Sequence, residues 1–289
     1  EERQSARAFA SGESEEVVAN NTYDNWLPSF NLKVNLTPKL LMRFGASKAL
    51  ARPDLGLTRA RFNMGPRVVN GEWIGFEVTG DGSGNPYLKP TRSTQFDGSL
   101  EYYFADVGSL TFAMFYKSLT DVLTNGVGDV PVTNNGETYD VHVVQPVNSK
   151  EKGTVQGFEV GYQQFYDMLP GFWSGFGVNA NYTYTQSETQ NLMGQWRPAP
   201  HIAEHKGNIG ITYDNGTLSL NANLYVAGPR WRGARDIKTD TYARLDLSGG
   251  YVIFERWAVF GRLENALGTA IVEELGYKQP HMFGLVGLQ

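Results

Sequence analysis

The stretch Phe30-Asn31-Leu32-Lys33-Val34-Asn35-Leu36 alternates large apolar and polar side chains without interruption. After Thr37-Pro38-Lys39 the chain returns with Leu40, Met42, Phe44 and Ala46 set against Leu41, Arg43, Gly45 and Ser47. A period of two belongs to a β-strand, whose successive side chains point to opposite faces. The pattern predicts a hairpin with two chemically different faces. A soluble, half-buried hairpin would set Phe30, Leu32, Val34 and Leu36 on a protein core. A transmembrane barrel would set the same four on lipid and turn Asn31, Lys33 and Asn35 to a wet lumen. One hairpin fits both, so the choice depends on the rest of the chain.

The same alternation recurs to the end. Phe96, Leu100, Tyr102 and Phe104 turn at Ala105-Asp106-Val107-Gly108 into Leu110, Phe112, Met114 and Tyr116. Phe158, Val160 and Tyr162 turn around Met168-Leu169-Pro170-Gly171 into Phe176, Val178, Ala180, Tyr182 and Tyr184. Ile209, Ile211 and Tyr213 meet Leu218, Leu220, Ala222 and Leu224 across Asp214-Asn215-Gly216, and an Asn-Gly pair between alternating runs is a strong hairpin signal. Ala243, Leu245, Leu247 and Tyr251 turn at Phe254-Glu255-Arg256 into Trp257, Val259 and Leu263, and a closing strand runs from Phe283 to Gln289. Between these hairpins lie long stretches that read as loops, the first from Ala51 to about Ser93 and the second up to about Glu151. Short turns and long loops alternate strictly, which puts all short connections at one end of the strands and all long ones at the other. That asymmetry is expected of an outer-membrane barrel, with short periplasmic turns and long extracellular loops. A soluble sandwich or propeller has similar connections at both ends.

The polar face agrees. Lys33, Arg43, Asp97, Glu101, Glu159, Asn179, Asn181, Asn221, Asn223, Arg244, Asp246, Arg262 and Glu264 would make a packed core too polar, whereas a hydrated lumen accepts them. Trp26, Tyr103, Phe104, Tyr184, Tyr213, Tyr251 and Trp257 fall near strand ends, where interfacial aromatic girdles lie.

Composition points the same way. With Gly 33, Tyr 15, Phe 16 and Trp 6 in 289 residues, the chain suits many strands joined by turns. A net charge of -5 excludes the basic surface that a nucleic-acid partner requires. Cysteine is absent, so disulfides and thiolate metal sites are excluded. No apolar run reaches the roughly 18 residues of a membrane-crossing helix, a test that barrel strands pass unnoticed. The polar opening EERQSARAFA has no apolar core of the signal-peptide kind, so the expectation is a removed export signal or a start inside a longer chain.

From Trp26 onward the segments WLPSFNLKVNLTPKLLMRFGASKALARPDL, GNPYLKPTRSTQFDGSLEYYF, GSLTFAMFYKSLTDVL, GTVQGFEVGYQQFYDMLPGFWSGFGVNANYTYTQS and YARLDLSGGYVIFERWAVFGRLENALG resemble the carboxy-terminal part of a TonB-dependent outer-membrane receptor. The resemblance implies an all-β, transmembrane, antiparallel up-and-down β-barrel of about 22 strands with a plugged lumen. It further implies an outer-membrane importer of a scarce nutrient, an oligosaccharide or an iron chelate, with no cofactor and no enzymatic activity. Its partners would be a TonB-type energising protein, the barrel-assembly machinery, outer-membrane lipid and lipopolysaccharide, and the small-molecule ligand. Only about eleven or twelve strands are legible here, half of such a barrel, so residues 1–289 are expected to be its carboxy-terminal half, without the plug and the first strands. The ending Gly287-Leu288-Gln289 lacks the terminal aromatic usual in the family, which fits the same expectation. A passive, substrate-specific porin without a plug remains the alternative, and a surface adhesin or barrel-anchored enzyme a more distant one.

Candidate ligand contacts lie in the long loops: Trp73, Phe76 and Tyr87, then Trp196 and Arg197, then Arg230, Trp231, Arg232 and Arg235. Aromatic faces stack on sugar or catechol rings, and guanidinium groups grip carboxylates and phosphates. Arg43, Glu101, Glu159, Arg244, Asp246, Arg262 and Glu264 are expected to face the plug. His201 and His205, four apart, would pair on a metal only within a helix, and Pro198-Ala199-Pro200 reads as a loop. Gly80-Asp81-Gly82-Ser83-Gly84-Asn85 has phosphate-loop spacing without a following helix, so a turn is expected.

Overall fold

A computed structural model describes residues 2–7, 14–59, 62–134, 137–190, 195–232, 237–254, 257–274, 277–278 and 281–288. Eleven strands form one antiparallel sheet in which each pairs with its neighbours in the sheet's chain order. They are β1 (Ser29–Thr37), β2 (Leu40–Ala51), β3 (Thr91–Ala105), β4 (Gly108–Thr120), β5 (Gly153–Phe165) and β6 (Phe176–Gln190). The series continues with β7 (His205–Asp214), β8 (Leu218–Ala227), β9 (Tyr242–Phe254), β10 (Trp257–Glu264) and β11 (Phe283–Leu288). This is the up-and-down meander of a barrel wall, and every hairpin expected from the alternation is present. Of the expected turn at Phe254-Glu255-Arg256, Glu255 and Arg256 lie outside the described residues, as does Gln289.

The register fixes the two faces. One transverse row runs Val34, Met42, Leu100, Phe112, Val160 and Tyr182. The row beside it, one residue along, runs Lys33, Arg43, Ser99, Ala113, Glu159, Thr183 and Lys206. Apolar residues do not make a protein core here: Phe30 is 56% and Ile209 54% exposed. A soluble sheet of this size would bury such side chains, so the apolar face meets lipid and the charged face water. On the lipid side Phe158 lies within ring contact of Phe112 (6.2 Å) and Tyr184 (5.6 Å), a cross-strand aromatic ladder.

The turns carry the chemistry the sequence promised. Asn215 Oδ1 accepts from the Thr217 and Leu218 amides, and Gly216 takes φ 82°, a conformation that costs glycine least. Tyr103 corrects one expectation. It shares the face of Glu101 and donates its hydroxyl to Glu101 Oε2 at 2.8 Å, so it belongs to the lumen and not to the lipid girdle.

The first two long loops are not irregular. The hairpin of strands Phe62–Val69 and Glu72–Ser83 joins the hairpin of Leu123–Asn134 and Glu137–Asn148 in a four-stranded sheet beyond the barrel wall. The junction is parallel, Phe76 to Val78 beside Val141 to Val143. Val78, Val141 and Val143 are at most 1% exposed, packed with Met64, Phe76, Val130, Val132 and Tyr139. This is the best-buried hydrophobic cluster among the described residues. A polar hub ties the loop sheet to the barrel: the Asn148 side chain accepts from Lys89 N (2.8 Å) and donates to Lys89 O (2.8 Å) and Asp121 O (2.9 Å). Beside it Thr91 Oγ1 donates to Asp121 O at 3.1 Å, and Arg92 pairs with the Asp121 carboxylate.

Candidate functional site

Two groups of loop residues and two groups of wall charges emerge. In the loops after β6 and β8, Trp196–Arg197 adds a short strand to the outer end of β6, and Trp231–Arg232 pairs with Ile237–Lys238. The two loops are laced together by backbone bonds. The His201 amide donates to the Trp231 carbonyl at 2.8 Å and Ala203 bridges Arg230, while within the loop after β8 the Thr239 amide donates to the Arg230 carbonyl at 2.9 Å. The Arg197 guanidinium carbon then lies 5.6 Å from the centre of the Trp231 ring and Lys238 Nζ lies 5.7 Å from it. Two cations over one indole are held by its π quadrupole at ~0.5–1 kcal/mol each where exposed. The arrangement concentrates positive charge around an aromatic surface. Arg197, Arg230 and Trp231, named from separate loops, are thus brought together by the loop backbone. Lys238 joins them unannounced, because a lone lysine in a polar run carries no periodic signal. Arg232 has its backbone here, while its side chain and Arg235 lie outside the described residues.

The second loop group lies on the four-stranded loop sheet. Trp73 stands edge-on to Phe76 with ring centres 5.7 Å apart, and Phe76 edge-on to Tyr139 at 5.0 Å. Trp73 and Tyr87 are each more than 60% exposed, so both offer a free ring face, whereas Phe76 serves the hydrophobic cluster. Tyr139 was not among the expected contacts, since its ring joins the others only through the parallel pairing of two distant loops.

The wall charges are largely paired with one another. Arg43 Nε donates to Glu101 Oε1 at 2.8 Å. Arg244 bridges Asp246 (2.9 Å) and Glu264 (3.2 Å), while Arg262 shares Glu264 at 3.1 Å. Asp246 also accepts from the Asn265 amide at 2.9 Å. Glu159 accepts from the Thr183 hydroxyl at 3.3 Å and lines, with Lys33, Arg43, Asp97 and Lys117, a recess of about 560 Å3 in the lumen face. A wall so compensated presents many hydrogen-bonding groups with little net charge, a surface suited to holding hydrated polypeptide or solute.

Neither histidine pair nor glycine motif forms a cofactor site. His205 Nδ1 bonds the Tyr182 hydroxyl at 2.7 Å, while His201 is turned by φ 65° into the loop lacing. Among the described residues no group of three histidine, aspartate or glutamate side chains is placed to hold a metal. The glycine run from Gly80 continues a strand to Ser83, with no helix after it.

A family model for the β-barrel of TonB-dependent receptors matches residues 3–266. No curated protein matches the chain. Among solved structures, the siderophore receptor PirA from Acinetobacter baumannii superposes with TM-score 0.66 at 17% identity, covering 91% of this chain and 40% of that one. A mutant (Q482A) of the ferric enterobactin receptor PfeA from Pseudomonas aeruginosa, in complex with enterobactin, gives TM-score 0.61 at 17% identity, with 92% and 41% covered. The copper transporter OprC gives 0.61 at 18% identity, with 90% and 38% covered. The chain therefore spans about two-fifths of the length of the structures it resembles.

Proposed function

Because this chain belongs to the TonB-dependent receptor family, whose barrels stand in the outer membrane of Gram-negative bacteria, we propose that it is the carboxy-terminal half of a plugged importer of about 22 strands. The ligand is captured outside the membrane by the loops and released past the plug with energy from a TonB-type protein. The missing amino-terminal part would supply the plug and the TonB contact. The barrel-assembly machinery would insert the chain, and lipopolysaccharide would surround its outer rim.

The observation that carries this reading is the Trp231 platform, a single indole flanked by Arg197 and Lys238 at the mouth of the lumen. Of the two ligand classes weighed, an iron chelate and an oligosaccharide, it favours an anionic chelate, whose charge meets the cations and whose rings meet the indole. Arg230 belongs to the same platform by the loop lacing, with Arg232 and Arg235 following in sequence. Trp73, Tyr87 and Trp196 would close on the ligand from the neighbouring loops. The wall charges Arg43, Glu101, Glu159, Arg244, Asp246, Arg262 and Glu264, most of them paired with one another, would face the plug.

The test uses the full-length receptor with two probes, ferric enterobactin and the neutral oligosaccharide maltoheptaose. Saturable binding of the iron chelate, weakened roughly tenfold by Trp231→Ala as loss of the aromatic face that meets the chelate rings implies, together with uptake that stops when TonB is deleted, would support the reading. Binding of maltoheptaose alone would move the ligand to the sugar class. Flux of either probe that is independent of TonB would replace the importer by a passive porin.

A further inference from the structure

One short turn is unlike the others. Between β5 and β6 the chain runs Tyr166-Asp167-Met168-Leu169-Pro170-Gly171-Phe172-Trp173-Ser174-Gly175, and a 3-10 turn covers Gly171–Gly175. Periplasmic turns need only reverse the chain, and Pro38-Lys39 or Asp106-Val107 do so with two residues. This one carries Met168, Phe172 and Trp173 at 58 to 60% exposure. Its rings fold towards the lipid side: Phe172 lies 4.8 Å from Tyr213 and 5.3 Å from Phe176, and Trp173 5.6 Å from Phe176. Phe176 and Tyr213 are register partners on the apolar face of β6 and β7.

The cluster closes one end of a furrow of about 880 Å3 in the membrane-facing surface of β7 to β11. Leu220, Leu247 and Leu263 form its ridges, and Gly249, Gly261 and Gly284 leave its floor without side chains. The register sets Leu220 beside Gly249, Gly249 beside Gly261 and Leu263 beside Gly284, so the furrow crosses β8 to β11, from Leu220 beside the short turn of β7 and β8 to Leu263 and Gly284 at the long-loop ends of β10 and β11. Its volume is in the range of about 300–1,000 Å3 typical of small-ligand sites. At its closed end Tyr213 Oη accepts from Asn215 Nδ2 at 3.2 Å, which marks the level where the apolar wall gives way to polar turn. Tryptophan and tyrosine seek that level in a bilayer.

The geometry points to a binding site for a phospholipid of the periplasmic leaflet, one acyl chain lying in the furrow and its glycerol and headgroup resting beside Trp173 and Tyr213. The occupant follows from continuity with the membrane interface: the furrow lies in the apolar, membrane-facing surface, and its closed end is at the periplasmic leaflet, where phospholipid and not lipopolysaccharide resides. The aromatic turn then does two things. It caps the acyl chain, and it holds this sector of the barrel at a fixed depth, since Met168, Phe172 and Trp173 lose their apolar contact with the bilayer if the turn is lifted into water.

The test is native mass spectrometry of the full-length receptor, reconstituted in vesicles of phosphatidylethanolamine and phosphatidylglycerol and released into mild detergent. The wild type is expected to retain a phospholipid adduct. A Cβ at Gly261 or Gly284 meets nothing nearer than 3.7 Å, so Gly261→Leu and Gly284→Leu fill the furrow without disturbing the sheet. Each should abolish the adduct, and Trp173→Ala should lower it several-fold. Ala46→Leu, on the lipid face of the distant strand β2, should leave it unchanged. Equal retention in wild type and both filled variants would overturn the proposal. So would the absence of any adduct from the wild type, retention of lipopolysaccharide alone, or a dimer broken by the same two leucines. Should a filled variant fail to fold, bromination of the vesicle acyl chains serves instead: a fall in tryptophan quenching with Trp173→Phe is expected, Trp26 and Trp257 keeping their own share, and quenching indifferent to that change would refute the site.

Discussion

Asn148→Ala should loosen the loop sheet from the barrel without unfolding either. The asparagine side chain makes three hydrogen bonds across the junction, one accepted from Lys89 N–H and two donated to the carbonyls of Lys89 and Asp121. At about 1 kcal/mol net for each, the loss is about 3 kcal/mol, and at about 1.4 kcal/mol per decade this is roughly a hundredfold rise in the open population. The covalent loops and the Val78–Val141–Val143 cluster remain, so the opening is local. Hydrogen exchange on the full-length receptor reads it directly. The Ser149 amide, which donates to Val122 O at 2.8 Å beside the hub, should exchange about a hundredfold faster, while amides of β4 and β5 should keep their rates. Asn148→Asp keeps the acceptor for Lys89 but turns a carboxylate onto two carbonyl oxygens, so its effect should be at least as large. Exchange at Ser149 changed by less than about threefold in Asn148→Ala would show that the three bonds are not what holds the loop sheet, and the reasoning would be wrong.

Topology can be read from the cysteine-free background. Trp73→Cys should react with a membrane-impermeant maleimide on intact cells and Leu169→Cys only after the outer membrane is opened; the reverse order would invert the barrel. Gly157→Val should lower the thermal unfolding midpoint, because a Cβ there would collide with the Tyr184 carbonyl oxygen and sit 2.8 Å from Phe115 Cζ, an overpacking worth about 1–3 kcal/mol. An unchanged midpoint would mean that the Phe115 ring and the backbone yield freely. Asp246→Asn removes the charge that faces Arg244 and should destabilise by about 1–2 kcal/mol, discounted because both groups are more than a quarter exposed. A denaturation curve unshifted by the change would place that network among ornamental surface pairs.

The barrel strands were legible because one face must satisfy lipid and the other water along their whole length, and no other demand competes with a period of two. Phe30 to Leu36 shows this at its simplest, with Phe158 to Tyr162 close behind. The loop strands were not legible. Leu123–Asn134 contains Gly126, Gly128 and Pro131 and reads as coil, and it is a strand because Glu137–Asn148 pairs with it along its full length. In Glu72–Ser83 Gly75 takes φ 135° at a bulge, which shifts the side chains on either side out of phase and erases the alternation. The same blindness affected Tyr103, whose face is decided by parity with Glu101 and not by its place near a strand end. At the candidate site Arg197, Arg230 and Trp231 could be nominated by residue type, but their convergence depends on backbone lacing between loops that no local pattern encodes.

Every hydrogen-bonded pairing of the barrel wall joins strands that follow one another in the wall, whereas Phe76 to Val78 lie beside Val141 to Val143 across two intervening wall strands, β3 and β4. That contact cannot exist until both wall hairpins flanking it have been delivered. Closing so long a loop of chain is slow relative to zipping neighbours together. This patch of the outward face thus matures after the β3–β4 hairpin that separates its two halves. A wall halted midway through insertion would already be threaded into the bilayer while still presenting two unjoined, valine-rich ribbons to the cell exterior, a state that surface proteases and antibodies would distinguish from the finished molecule.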